Sequence, residues 1–139
     1  MVFGKGVPFR EFRQRIELVT LKINTGCTKG DLLTYDTSGY APATATLADN
    51  NAFKFCVALA TVVAPTDGSQ ATVRGFFEGA VGVTKLNNTV VAYGQALGPS
   101  ATAGSVDVCT VANLAKYSAG WAMEAAISGD KSVGMMLRA

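Results

Sequence analysis

The sequence predicts an all-β fold: a small barrel or β-sandwich with two pseudo-repeated units and an extended N-terminal arm. Three observations point to it. Turn signals recur at intervals of about 8–12 residues. The segments between them are short and rich in Val, Thr, Phe and Leu. The two halves share one succession of motifs. A chain of 139 residues has the size of one ordinary domain.

Taken in order, residues 1–16 differ from the rest. Gly4, Gly6 and Pro8 oppose regular structure, while Phe3, Phe9 and Phe12 alternate with cations. We read 1–16 as an arm and 17–139 as a single β-rich domain. From Glu17 to Ile23 the chain settles into alternation, and Thr25-Gly26 and Lys29-Gly30 mark turns. Asp31–Tyr35 reads as a short strand. Asp36-Thr-Ser-Gly39 reads as a tight turn, because Asp bonds its own backbone and Gly accepts positive φ. Tyr40–Pro42 restarts an extended segment, and Pro42 places it at an edge. Residues 43–52 read as a loop. Phe53–Ala64 is a long apolar run read as a buried strand, with a helix open for part of it. After Pro65-Thr-Asp-Gly68, Ala71–Glu78 and Val81–Lys85 read as two further strands, and Thr89–Tyr93 as a return after Asn87-Asn88. Ala96-Leu97 is short and 98–104 reads as a loop. Val106–Val111, Gly120–Ile127 and Ser132–Leu137 read as the closing strands.

The repeat aligns Gly30-Asp-Leu-Leu33 with Gly94-Gln-Ala-Leu97, Phe55–Ala60 with Tyr117–Ala122, and Ala71–Phe77 with Lys131–Leu137. In each unit a glycine turn launches a short strand, an apolar strand crosses the core, and a glycine hairpin returns a closing strand. Two such units close a pseudo-symmetric barrel with few free edges. Chance likeness between hairpins is the alternative.

Composition narrows the function. Apolar residues make up 49% and charged residues 16%, against about 25% charged in ordinary soluble domains. So few charges leave weakly polar surface, which suits faces covered by other subunits. With no histidine, the usual Ser–His and Cys–His nucleophile pairs are impossible. Cys27, Cys56 and Cys109 form no CxxC pair and are odd in number, so neither a zinc site nor a full disulfide set is supported. Cys56 and Cys109 are expected as buried reduced thiols, which suits a reducing cytoplasm. No apolar stretch has the length of a membrane span, and the N-terminus lacks a signal-peptide core. Lys5, Arg10, Arg13, Arg15 and Lys22 face only Glu11 and Glu17 within residues 1–24, so the basic character is local to the arm. The aspartates sit mainly at turns, Glu124 is expected in solvent or at an interface, and Trp121, Phe53, Phe55, Phe76, Phe77, Met135 and Met136 are expected in the core.

The succession Gly30-Asp-Leu-Leu-x-Tyr-Asp-x-x-Gly39, an Ala-Thr-Ala segment, Phe55-Cys-Val-Ala-Leu-Ala60 and Asp67-Gly-x-x-Ala-Thr-Val73 resembles the capsid cement or decoration proteins of tailed viruses. The ending Gly129-Asp-Lys-Ser-Val-Gly-Met-Met-Leu137 fits the same pattern. The resemblance covers roughly residues 25–139. The chain departs from it at Cys56, where Gly is usual, and in its larger, more basic N-terminal segment. The resemblance implies a β-rich domain, often a homotrimer, seated on the exterior of an expanded virion head. It implies the major capsid protein as partner, and no catalysis, cofactor, metal, small-molecule substrate or membrane. Within that expectation the arm reaches a neighbour: Phe3, Phe9 and Phe12 as apolar anchors, Arg10, Arg13 and Arg15 as partners for carboxylates. Another head or tail subunit is the runner-up reading. A nucleic-acid-binding β-barrel ranks below it, because the net charge is only +2 and the part after the arm is slightly acidic.

Overall fold

The computed structural model describes residues 14–45, 55–87, 89–109 and 118–137. They form nine strands: β1 (Arg15–Thr20), β2 (Leu32–Asp36), β3 (Gly39–Pro42), β4 (Phe55–Ala58), β5 (Thr72–Lys85), β6 (Ala96–Pro99), β7 (Val106–Val108), β8 (Gly120–Ala122) and β9 (Ser132–Leu137). The sheet runs β3-β2-β4-β5-β9-β8-β6-β7, with β1 paired to β5. All strand pairs are antiparallel, and the sheet curls into a half-barrel. The all-β expectation holds.

Several strand extents differ from expectation. The two segments flanking Gly79 are one 14-residue strand, β5. Its first half pairs with β1 and β4 and its second half with β9, so pairing on both halves carries the strand through Gly79 at φ 109°. The run after Phe55 is strand only to Ala58, and Gly120–Ile127 only to Ala122. Beyond those points Val62 and Ala126 make single bridges to Cys27 and Val91. The segment 89–93 is likewise reduced to the Val91 bridge. β6 extends to Pro99, into the expected loop, and β7 ends at Val108. β1 starts at Arg15, two residues before the expected domain boundary.

The two halves share one topology. β2 pairs with β3 and β4, and β4 with β5; likewise β6 pairs with β7 and β8, and β8 with β9. Leu33 lies opposite Cys56 as Leu97 lies opposite Gly120. The Cys27–Val62 bridge matches Val91–Ala126, and the parallel Leu21–Tyr40 bridge matches Leu86–Val106. Gly30 and Gly94, at φ 91° and 84°, donate to the carbonyls of Ala58 and Ala122. The second half of β5 therefore plays for the second unit the part that β1 plays for the first. The sequence alignment is right for β2/β6 and β5/β9. It slips by two residues at β4/β8, where Phe55–Ala58 corresponds to Ala119–Ala122. A slip of two preserves the in–out alternation.

Burial follows the repeat. Inside the first unit lie Val19, Leu21, Cys27, Leu33, Cys56, Ala58, Val73 and Phe77. Their counterparts Leu86, Val91, Leu97, Ala122, Val133 and Leu137 line the second unit and merge with Leu32, Val57 and Phe76 into one cluster. That second set fastens the units together, because Leu32, Val57 and Phe76 come from the outer face of the first. Leu32 N donates to the Gly104 carbonyl, Gly104 N to Ala43, and Lys85 N to Gly30 across the same seam.

Candidate interaction surface

An ion pair, Asp31 with Lys85, also crosses the seam. Asp31 is buried, at 6% side-chain exposure. Its Oδ1 accepts from Lys85 Nζ at 2.8 Å, and its Oδ2 accepts from the Thr28 backbone N–H at 2.8 Å. The equivalent residue, Gln95, makes the matching turn bond, accepting from Ala92 N–H at 2.7 Å. Gln95 and Gly94 are exposed where Asp31 and Gly30 are buried. The same local structure therefore exists twice, once covered and once open.

The difference extends across the sheet. In the first unit Leu32, Val57 and Phe76 stand opposite one another on β2, β4 and β5 and share one face. They are 0%, 0% and 5% exposed. In the second unit Ala96, Trp121 and Met136 form the matching row on β6, β8 and β9. Trp121 is 43% exposed, and Ala96 and Met136 are half-buried. Trp121 was expected in the core. It points outward because its neighbours Gly120 and Ala122 fill the two inward positions of β8. Beside the row, Met123 is exposed where its counterpart Leu59 packs on the core. Val90, Tyr93 and Ile127 add exposed apolar area to the same unit.

The first unit has its own open face. On β1 only Val19 is buried; Ile16, Leu18 and Thr20 face outward, with Leu18 69% exposed. The Thr37–Ser38 turn between β2 and β3 is exposed too. Arg15 opens β1, pairs with Glu17, and places its guanidinium 4.8 Å from the Phe77 ring centroid. Of the residues proposed to reach a neighbour, Phe3, Phe9, Arg10, Phe12 and Arg13 lie outside the described residues, so Arg15 is the one the structure places.

Several other polar groups have structural partners, while Thr34 Oγ1 and Thr84 Oγ1 are buried with none among the described residues. Lys22 pairs with Asp36 at 2.8 Å. Asp67 accepts from Ser69, which holds its carboxyl below the usual range, and Asp130 accepts from Ile127 N–H. Glu124 is exposed, and its Oε2 accepts from Gly134 N–H at 2.7 Å. Cys27 and Cys56 are buried thiols inside the first unit; Cys109 is half-buried, not buried as expected. Burial pushes the Cys56 thiol up to about 12 and raises Cys27 as well. No group of three or more Cys, Asp or Glu placed to hold a metal occurs among the described residues, nor does a helix long and apolar enough to cross a membrane.

No protein-family model, curated protein or solved structure matches the chain. The site therefore rests on its own geometry: two faces with exposed apolar side chains, one on each unit, with Arg74 opposite Leu18 on the first and Glu124 next to Met123 on the second.

Proposed function

We propose that this protein is a non-enzymatic structural component of a virion, seated on the outer surface of an icosahedral capsid, where it reinforces contacts between capsomers. The observation that carries the reading is the open Trp121–Met136 row, whose twin in the first unit is buried core. A side-chain pattern of core character on a surface is the signature of a face meant to be covered. The low charge content and the likeness to cement proteins support a shell as the setting in which subunits assemble and cover that face. A protein that bridges a seam stabilises only the assembled shell, by binding that state and no other. Repetition over the lattice adds avidity.

In this reading the major capsid protein is the partner, and self-association as a homotrimer is the expected form. The N-terminal segment supplies further anchors: its three phenylalanines for apolar pockets, its arginines for carboxylates. Co-sedimentation with expanded empty shells tests it. The full chain is expected to pellet with shells at saturating stoichiometry. A variant with Phe3, Phe9 and Phe12 changed to Ser is expected to fold and to lose most of that occupancy. Equal occupancy by the variant removes the anchoring role; no occupancy by either chain removes the capsid reading.

A further inference from the structure

The chain makes one interface internally and leaves both halves of that same interface open at its ends. Internally, the outer face of the first unit (Gly30, Asp31, Leu32, Val57, Phe76) docks on the second. The receiving elements are the end of β5, at Lys85, and the 100–105 turn between β6 and β7. The docking face recurs on the second unit as Gly94, Gln95, Ala96, Trp121 and Met136, and there it is open. The receiving elements recur on the first unit as the end of β1, at Thr20, and the Thr37–Ser38 turn between β2 and β3. These are exposed too, with Leu18 exposed two residues away. The Ser38 carbonyl, counterpart of the Gly104 carbonyl, already accepts from Gln70 Nε2 at 3.1 Å, which leaves it one lone pair for an incoming donor.

We infer that copies of this chain associate head to tail, the Trp121 face of one copy docking on the β1 face of the next as the first unit docks on the second within each chain. The occupant of the exposed row is thus a second copy, because the contact continues one the fold already makes. Both open faces carry large apolar side chains, Trp121, Met123 and Met136 on one and Ile16 and Leu18 on the other. Such a contact is heterologous, joining two different surfaces, so it closes into a ring or continues as a fibre and does not stop at a two-fold dimer. The inference stands without the capsid reading, since it concerns the protein alone.

Sedimentation velocity of the full chain over a concentration series tests it, with two variants at exposed positions. Trp121→Glu disables the docking face and leaves the receiving face intact. Leu18→Glu does the reverse. Wild type is expected to assemble with rising concentration, with a blue shift in emission from its single Trp. Each variant alone is expected to stay monomeric, weakened roughly 30-fold or more, as for a buried hot-spot residue. Mixed in equal amounts, the two are expected to form a 1:1 heterodimer that grows no further, since only one working pair of faces remains. A wild type that stays monomeric at every concentration overturns the inference. So does a Leu18→Glu chain that assembles like wild type, which is the behaviour of a face-to-face Trp121 dimer, or a mixture without heterodimer. Met123→Glu and Thr20→Arg form an independent pair on the same two faces. They decide the matter if a melt monitored by circular dichroism shows either first variant to be unfolded.

Discussion

The Asp31–Lys85 pair gives the sharpest test of how the two units are joined. Asp31 is nearly fully buried, while the Lys85 side chain keeps 37% exposure. Removing either partner therefore has unequal consequences. In Asp31→Asn the amide oxygen keeps the bond from Thr28 N–H, as Gln95 shows a neutral amide can do at the equivalent turn. What is lost is one charge-assisted bond, and the freed ammonium reaches water. The expected destabilisation is about 1–2 kcal/mol. In Lys85→Met the carboxylate stays buried with one backbone partner and no cation. Stranding a buried charge typically costs about 3–5 kcal/mol; the Thr28 bond places this case near the lower end, at about 3 kcal/mol. The double variant leaves no charge in the seam, so it is expected to be more stable than Lys85→Met alone, which requires a coupling larger than the Asp31→Asn cost, about 2–3 kcal/mol. Urea unfolding followed by circular dichroism measures all four corners of the cycle. If Lys85→Met lies within about 0.5 kcal/mol of wild type, or the two changes add, the seam does not depend on this pair.

Other consequences follow from single positions. A methyl group on Gly120 would overlap the Met136 carbonyl oxygen, so Gly120→Ala forces β9 away and is expected to lose about 3 kcal/mol or more in denaturant melts. Gly94→Ala meets no atom and bears only its positive φ, for a loss of about 1–2 kcal/mol; equal losses at both sites would refute the packing argument. Thr84 Oγ1 is buried with no partner among the described residues, and its counterpart in the first unit is Val19. Thr84→Val is expected to stabilise by about 1 kcal/mol, and a lower melting temperature would contradict it. The Cys56 thiol, raised from 9.0 to about 12, binds its proton more tightly folded than unfolded. Its contribution is complete below pH 9 and is lost as pH rises towards 12, at about 1.4 kcal/mol per pH unit. Cys56→Ala should flatten this alkaline slope; an unchanged slope assigns it to other groups.

The fold was legible where chemistry is local. Asp67-Gly68 is a turn because Asp67 accepts from Ser69 N–H and Gly68 takes a positive φ. The 36–39 turn lies where expected for other reasons: Thr37, not Gly39, has the positive φ, Asp36 pairs with Lys22, and Gly39 lets the chain pass against the Leu21 backbone. Pro42 does lie on an edge strand. The repeat was visible because β2/β6 and β5/β9 keep their glycine and apolar spacing. Less was legible where pairing decides. Gly79 looks like a strand end, yet β9 takes over where β1 stops, and β5 runs on. The core position expected for Trp121 fails because a continuous apolar run does not reveal its in–out parity. The signal available was that both flanking residues, Gly120 and Ala122, are small enough for the crowded interior. Leu18 was hidden for the same reason, since Glu17-Leu-Val-Thr does not alternate cleanly. The outer faces could be found only once the two units were laid over each other.

The central claim is that the open apolar faces exist to be covered by protein neighbours on a shell. A cryo-electron micrograph reconstruction of expanded shells incubated with the full chain measures this directly. The account predicts density on the shell exterior that spans capsomer junctions, with Trp121, Met136 and Leu18 all beneath contacting protein. Bare shells, or bound copies whose Trp121 and Leu18 faces both remain in solvent, would contradict it.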